Sequence, residues 1–147
     1  MKLAKALKLK NKLLKEYNVT LSRTISSNCY DVDTQKVYNS AVLLEEAIVQ
    51  RDKYVALKAA IHSTSEPIRK KIFELGELKS FLGKINSLHT TEGIVKESSY
   101  SGGTVKTYAA DISEQRKQEI IKSVEESIEN IQEEIDVFNA TTDLVGF

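Results

Sequence analysis

The last third of the chain carries its most regular pattern, Ile121-Lys-Ser-Val-Glu-Glu-Ser-Ile-Glu-Asn-Ile-Gln-Glu-Glu-Ile-Asp-Val-Phe138. Its apolar residues are spaced alternately three and four apart, as on one face of an α-helix. They are Ile121, Val124, Ile128, Ile131, Ile135 and Phe138. The pattern predicts a helix that starts at Asp111, has Glu114 in its first turn, and buries this seam against other helices.

Two further helices are predicted in the first half of the chain. The first spans residues 2 to about 28, without Gly or Pro. Its apolar stripe consists of Leu3, Leu7, Leu14, Tyr17 and Leu21. A connection at 29–33 leads to the second helix, which is expected to end near Ile61. The stripe of this helix consists of Val37, Ala41, Leu44, Ile48, Val55 and Ile61, and it is widened by Leu43, Tyr54 and Leu57.

Another helix is predicted after a break at residues 62–67. Ser63 with Glu66 fits a capping box, and Ser65 before Pro67 offers an alternative cap with proline in the first turn. The apolar residues of this third helix are Ile68, Ile72, Leu75, Leu78, Leu82 and Ile85.

Two glycines, Gly76 and Gly83, lie seven residues apart on one face of the third helix. Each interior glycine costs a helix about 1 kcal/mol relative to alanine. We therefore expect another backbone to approach this face closely and to compensate for the cost, which predicts a tight helix crossing.

A spacing of two replaces the helical spacing at about 94–109. Two segments rich in β-branched and aromatic residues flank a pair of glycines, which is a two-residue hairpin signal. The resulting register would pair Tyr100 with Val105, and Glu97 with Tyr108. Because a lone hairpin is marginal in water, we expect it to pack on a helix or on a hairpin of another copy.

Charge is balanced in total but separated along the chain. The 147 residues contain 21 Lys plus Arg and 21 Asp plus Glu. Residues 1–30 carry seven cations against Glu16, a net +6, and residues 111–147 carry ten acids against three cations, a net −7. In one interpretation the first and last helices attract each other, within one chain or between copies. In the other, a lysine-rich face binds an anionic partner such as a phosphodiester backbone or a lipid surface. The residues of that face are Lys2, Lys5, Lys8, Lys12 and Lys15.

Four short motifs are similar to those of a known group of proteins. The chain begins Met1-Lys-Leu-Ala-Lys-Ala-Leu7, and Ile61-His-Ser-Thr-Ser65 falls where the group has an Ile-Asn-x-Thr-Asn turn. Residues 100–106 match a Tyr-Ser-x strand region, and Asn139-Ala-Thr-Thr-Asp-Leu144 is similar to a closing Asn-Trp-x-Thr-Glu-Leu. The chain thus resembles the small bacterial septicolysin-like proteins. The resemblance implies a helical, hairpin-containing fold that oligomerises, and its label suggests cytolysis without a catalytic mechanism.

The chain also departs from this group. The acidic, proline-containing loop after the first helix is replaced by residues 26–33. An Arg-Asp pair of the third helix would fall near Gly76-Glu77, and the closing Trp is Ala140. A charge pair or stacking contact that uses those residues is therefore not expected in this chain.

Catalytic and metal sites find little support in the sequence. Cys29 is the sole cysteine, which excludes intrachain disulfides and Cys-based zinc sites, and catalysis by it would need a histidine and a carboxylate nearby. The residues three before His62 and His89 are Ala59 and Asn86, so the Glu-x-x-His pairs of a di-iron bundle are lacking. We expect no enzyme activity, no metal and no cofactor.

Membrane-spanning and nucleic-acid-binding classes are likewise disfavoured. The longest apolar run, Ala41-Val-Leu-Leu44, is far shorter than the roughly 20 residues of a spanning helix. Lysines recur through Lys15 where a secretory signal would need an apolar region, so we expect a cytoplasmic protein. Nucleic-acid binding is not expected, because net charge is zero and no aromatic residues interleave with the lysines.

The sequence as a whole predicts one mainly α domain over residues 1–147, an antiparallel four-helix bundle with one β-hairpin between the third and fourth helices. We expect a non-enzymatic protein that self-associates into a homo-oligomer. Two alternatives are a membrane-active or pore-related protein using the basic first helix, and a helical carrier of a small ligand. The expected oligomer interface consists of Ile121, Val124, Ile128, Ile131, Ile135, Phe138, Leu144, Val145, Phe147, Tyr100 and Tyr108.

Overall fold

The described part of the chain is mainly α-helical, with four helices and one antiparallel β-hairpin between the third and the fourth, as the sequence predicts. A computed structural model describes residues 1–97 and 102–147, with Glu97 described by its backbone alone. The elements are α1 (Leu3–Ser27), α2 (Ser40–Thr64), a 3-10 turn (Glu66–Ile68), α3 (Arg69–Asn86), β1 (Gly93–Glu97), β2 (Thr104–Tyr108) and α4 (Glu114–Thr141).

The described chain forms two compact units. The first consists of Met1–Arg69 with Asp136–Phe147, and the second of Lys70–Ile135. In the first unit α1 and α2 are antiparallel, since the hydroxyls of Ser27 and Ser40 lie 3.0 Å apart at one end. At the other end Leu3 shares a buried cluster with residues of the last turns of α2.

The contact between α1 and α2 follows an unbroken spacing of three and four on both helices. Every residue of the two seams is buried or half-buried. The α1 seam is Leu3, Ala6, Lys10, Leu13, Tyr17, Thr20, Thr24 and Ser27. The α2 seam is Ser40, Leu43, Ala47, Gln50, Tyr54, Leu57, Ile61 and Thr64. This is the packing of an antiparallel coiled coil.

Alanine, serine and threonine occupy seven of the sixteen seam positions. Ala6 and Ala47 are at most 1% exposed, while Thr20 and Thr24 are buried along α1. The predicted stripes contain part of the real seams, Leu3 and Tyr17 of α1 and Leu43, Tyr54, Leu57 and Ile61 of α2, and their other residues lie to one side of the seams. The prediction weighted large apolar side chains, whereas buried alanine and threonine also occupy the seams.

The second helix begins later than predicted. Residues 34–39 are not helical, and Val37 is 80% exposed instead of lying in a buried stripe. The Asn39 side chain accepts hydrogen bonds from the backbone amides of Ala41 (3.1 Å) and Val42 (3.4 Å). An N-cap of this kind satisfies amides that have no partner within the helix, and this fixes the helix start at Ser40.

The break between α2 and α3 lies where the sequence places it. Ser63 belongs to α2, and Ser65 occupies the position before the 3-10 turn, with Pro67 inside that turn. The Ser65 side chain makes no capping hydrogen bond. Arg69 holds the corner, because its guanidinium donates to the His62 carbonyl at 3.0 Å and pairs with Glu66.

In the second unit α3 and α4 are antiparallel. Lys71 pairs with Glu134 at 3.1 Å near one end. At the other end the Lys117 ammonium donates to the carbonyls of Asn86 (3.1 Å) and Leu88 (2.9 Å). Lys117 thus satisfies carbonyls that the end of α3 leaves without helical partners.

The cap of α4 corrects the predicted one. The helix begins at Glu114, and the Ser113 hydroxyl accepts from the Arg116 amide at 3.1 Å, so Ser113 and not Asp111 is the cap. Glu114 lies in the first turn, where its charge favours the helix dipole. Hydrogen bonds from Thr90 and Gln118, with the nearby Lys117 charge, lower the pKa of Glu114.

The tight crossing predicted at the glycines of α3 is not found. Within the described residues, a β-carbon built on Gly76 or Gly83 would meet no atom within 4 Å, apart from their own neighbours in the helix. No backbone therefore approaches these glycines in the part of the chain described. Their cost to the helix is not compensated by packing there.

The hairpin has a different register from the predicted one. Glu97 pairs with Thr104, and Gly93 pairs with Tyr108, so β1 is displaced by four residues from the expected pairing. A displacement by an even number leaves each side chain on its expected face of the ladder. Gly102 has a φ of +92°, a conformation that favours glycine. Tyr100 and the start of the predicted turn lie outside the described residues.

Candidate interaction surface

The two open sides of the α1–α2 pair differ in chemistry. One side presents residues that come just before the contact seam, including Glu16, Arg23 and Glu46. They line a shallow groove together with Lys12, Lys15, Val19, Thr20 and Gln50. This groove contains both positively and negatively charged side chains, as is usual for a solvent-exposed surface.

The opposite side is apolar, and we call it the apolar face. Its residues come one or two positions after the seam residues, on both helices. In an antiparallel pair such positions lie along the same edge of the contact, so the two rows are neighbours. The apolar face consists of Leu7, Leu14, Leu21 and Ile25 of α1 with Leu44, Ile48 and Val55 of α2.

Several of these side chains are well exposed. Ile25 is 72%, Val55 55% and Leu44 44% exposed, while Leu7, Leu14, Leu21 and Ile48 are half-buried. The α1 row extends from Leu7 to Ile25, about 27 Å at 1.5 Å per residue. A cluster of partly exposed apolar residues on two neighbouring helices is typical of an interaction site, whereas single exposed apolar residues are ordinary.

Charged residues flank the apolar face differently on its two helices. On α1 the outer flank consists of Lys8 and Lys15, which directly follow Leu7 and Leu14. On α2 the outer flank consists of Glu45 and Asp52. Glu45 directly follows Leu44, and Asp52 lies one heptad further along the helix. The outer edge on α1 therefore carries two lysines, and the outer edge on α2 carries two acids, of which Asp52 is also paired with Arg51 at 2.9 Å.

The lysines of the predicted anionic-partner face do not all lie together. Lys5, Lys8, Lys12 and Lys15 share one exposed face of α1, at spacings of three and four. Lys12 is also 3.6 Å from Glu16. Lys2 precedes the helix, and its ammonium donates hydrogen bonds near the end of the chain.

Lys2 joins the two ends of the chain. Its ammonium donates to Asp143 at 2.8 Å and to the Thr141 carbonyl at 2.9 Å. The backbones pair alongside, with the Leu3 amide donating to the Thr142 carbonyl at 2.8 Å. The hydrogen bond from Lys2 is the main reason that the pKa of Asp143 lies below its ordinary value of 3.8. The opposite charges of the two ends thus meet at a specific ion pair within the first unit.

Asp143→Asn is expected to lower the melting temperature at neutral pH by a small amount. A carboxyl whose pKa is lowered by folding stabilises the fold above its ordinary pKa and loses this effect as the pH falls through the folded value. The difference between wild type and Asp143→Asn should therefore be constant near neutrality and shrink below the ordinary value of 3.8. Thermal unfolding of both proteins across this range measures it, and a difference that grows in acid would contradict the assignment.

The residues of the predicted oligomer interface have different positions in the single chain. Ile121, Ile131 and Ile135 are buried, and Val124, Ile128, Phe138 and Leu144 are half-buried. Phe138 and Leu144 pack against the α1–α2 cluster. Val145 and Phe147 are exposed, Tyr108 is 38% exposed, and Tyr100 lies outside the described residues. Much of the α4 seam is thus already used within one chain, and the rest of this interface stays a prediction.

The side chains that could serve catalysis or metal binding do not lie together. Cys29 is exposed, and His62 and His89 are exposed at separate places in the chain. Among residues 1–97 and 102–147 no group of three or more His, Cys, Asp or Glu side chains could hold a metal ion. None of the helices described there has the length and apolar character that crossing a membrane requires.

The sequence pattern identifies most residues of the apolar face, but it predicts them in the core of the bundle. Leu44, Ile48 and Val55 were expected to be buried within the bundle, and the edge formed by Glu45 and Asp52 was missed. The available signal was that each helix carries two rows with spacings of three and four. A helix that is apolar on two sides needs a partner on each.

Comparison with known proteins adds no relative. No protein-family model matches the chain, and neither a curated protein nor a solved structure is detectably similar to it. The resemblance to septicolysin-like proteins stays a prediction from four short motifs.

Proposed function

We propose that this chain is a non-enzymatic structural protein that works by self-association. The observation that carries the proposal is the apolar face, which runs along both helices of one antiparallel pair and is exposed at Ile25, Leu44 and Val55. Such a surface serves a protein contact without any catalytic group.

Energetics favour covering this face. Removing one Leu, Ile or Val side chain from water contributes roughly 1.5–3 kcal/mol when burial is complete. The apolar face holds seven such residues, several of them only half-buried at present. Association costs an estimated 4–15 kcal/mol in lost freedom of motion. Complete burial of the remaining area on two copies is of comparable size, so self-association is energetically accessible.

The melting temperature of the protein is expected to rise with its concentration. An associated state that exists only when folded is stabilised by mass action, by about 2.7 kcal/mol over a hundredfold change in concentration. For a chain of this size we expect a rise of roughly 5–10 °C. Thermal unfolding at several protein concentrations measures it, and a constant melting temperature would contradict the proposal.

A matched pair of substitutions locates the effect. Leu44→Glu places a charge on the apolar face, and Val19→Glu places one in the charged groove, at sites 44% and 41% exposed. Leu44→Glu should abolish the concentration dependence, whereas Val19→Glu should retain it. Equal behaviour of the two variants would exclude the apolar face as the contact.

A membrane-active role is the second candidate, and one observation favours it. α1 carries its apolar row on one side and the exposed lysines Lys5, Lys8 and Lys12 elsewhere around the helix, which is the arrangement of an interfacial helix. This role predicts dye leakage from anionic vesicles that is lost when these three lysines become Glu. Absence of leakage at any protein concentration would remove it.

A further inference from the structure

We propose that two copies of the chain pair through their apolar faces about a two-fold axis parallel to the helices. In this dimer α1 of each copy lies on α2 of the other. The inference rests on the proposed function, because it names the partner and the geometry of the same surface.

The hydrogen bond between Ser27 and Ser40 shows which residues of α1 and α2 lie at the same height, meaning the same position along the axis of the helix pair. Ser27 of α1 and Ser40 of α2 lie side by side. Twelve residues back along α1 is Lys15, and twelve residues forward along α2 is Asp52. Since both helices rise equally per residue, Lys15 and Asp52 lie at the same height, on opposite outer edges of the apolar face.

A two-fold axis parallel to the helices keeps every residue at its own height and exchanges the two edges. The basic edge of one copy then meets the acidic edge of the other. Lys15 lies beside the partner's Asp52, and the same contact forms a second time by symmetry. Each contact joins opposite charges at the rim of an apolar contact, which is where charges select orientation.

The alternative stacking has its two-fold axis perpendicular to the helices. It would place α1 on the partner's α1 and α2 on the partner's α2. The lysine edge would then face the partner's lysine edge, and the acidic edge would face the partner's acidic edge. Lys8 and Lys15 would face the same lysines, and Glu45 and Asp52 would face the same acids. Like charges brought together across a contact oppose association, so the charge pattern selects the parallel axis.

Polar residues within the apolar face are compatible with this pairing. The Arg51 guanidinium is turned to Asp52 on the acidic edge, at 2.9 Å. The Lys58 ammonium lies 6.0 Å from the centre of the Tyr54 ring, and so toward the contact with α1. Asn11 and Asn18 interrupt the leucines of the α1 row. Isolated asparagines in an apolar seam specify alignment and oligomer size at some cost in stability.

The test uses two charge-reversed proteins, Lys15→Glu and Asp52→Lys. Both residues are exposed, so each variant is expected to fold. Alone, each would form a dimer with two repulsive contacts, and we expect its dissociation constant to rise about tenfold over wild type. In a mixture of the two, both contacts of the mixed dimer join opposite charges. Sedimentation should therefore show recovery of association when the variants are mixed.

The outcomes separate this inference from the proposed function. If wild type does not associate, both fail. If wild type associates but mixing restores nothing, self-association stands and this pairing is overturned. Binding of wild type to anionic vesicles as a monomer would also overturn the pairing and assign the face to a lipid surface.

Discussion

Leu57→Ala is expected to lower the free energy of unfolding by about 2–5 kcal/mol. The Leu57 side chain is fully buried and belongs to one cluster with Leu3, Leu13 and Ile61. Shortening it removes apolar contacts from both helices of the first unit and leaves a cavity that the rigid helix pair fills only in part.

Urea unfolding followed by circular dichroism measures this loss. Val49→Ala is the matched control, because Val49 lies on the same helix and is 67% exposed. The control should change the free energy of unfolding by no more than about 0.5 kcal/mol. Equal effects of the two substitutions would show that Leu57 is not in a packed core.

Ala47→Leu is expected to lower the free energy of unfolding by about 1–3 kcal/mol, although it adds apolar surface. Ala47 is 1% exposed and belongs to the α2 seam that packs on α1. A leucine there has no space unless the helices separate, so the close approach of α1 and α2 would be lost.

The control for this prediction is Ala56→Leu, which makes the same change at an exposed position of the same helix. Ala56→Leu should leave the stability of the chain nearly unchanged. The two variants are compared by urea unfolding. A stability of Ala47→Leu equal to or above that of wild type would show that small residues do not set the distance between the helices.

Much of the fold follows from the sequence because its strongest patterns are local. The seam from Ile121 to Phe138 indicates α4, and Pro67 after a polar turn marks the corner between α2 and α3. Two glycines between β-branched segments indicate the hairpin. These features depend on helical spacing and turn chemistry, which act over a few residues.

Other features depend on contacts between distant residues and could not be read in this way. Both α1 and α2 have two rows with helical spacing, and only packing decides which row faces the partner helix. Small residues such as Ala47 occupy seam positions that a prediction based on large apolar residues does not select. The pairing of β1 with β2 differs by four residues from the one that the two glycines predict. The start of α2 depends on Asn39, whose role as a cap is one of several open to an asparagine.

The candidate site shows the same division. The apolar residues Leu44, Ile48 and Val55 are visible in the sequence, but their exposure is not. The match between Lys15 and Asp52 becomes apparent only when Ser27 and Ser40 fix the heights of the two helices.

Self-association is the central claim, and the solution mass tests it most directly. Light scattering coupled to gel filtration at micromolar concentration measures that mass without reference to shape. We expect twice the 16.5 kDa of one chain. A single species of 16.5 kDa at every concentration would contradict the claim.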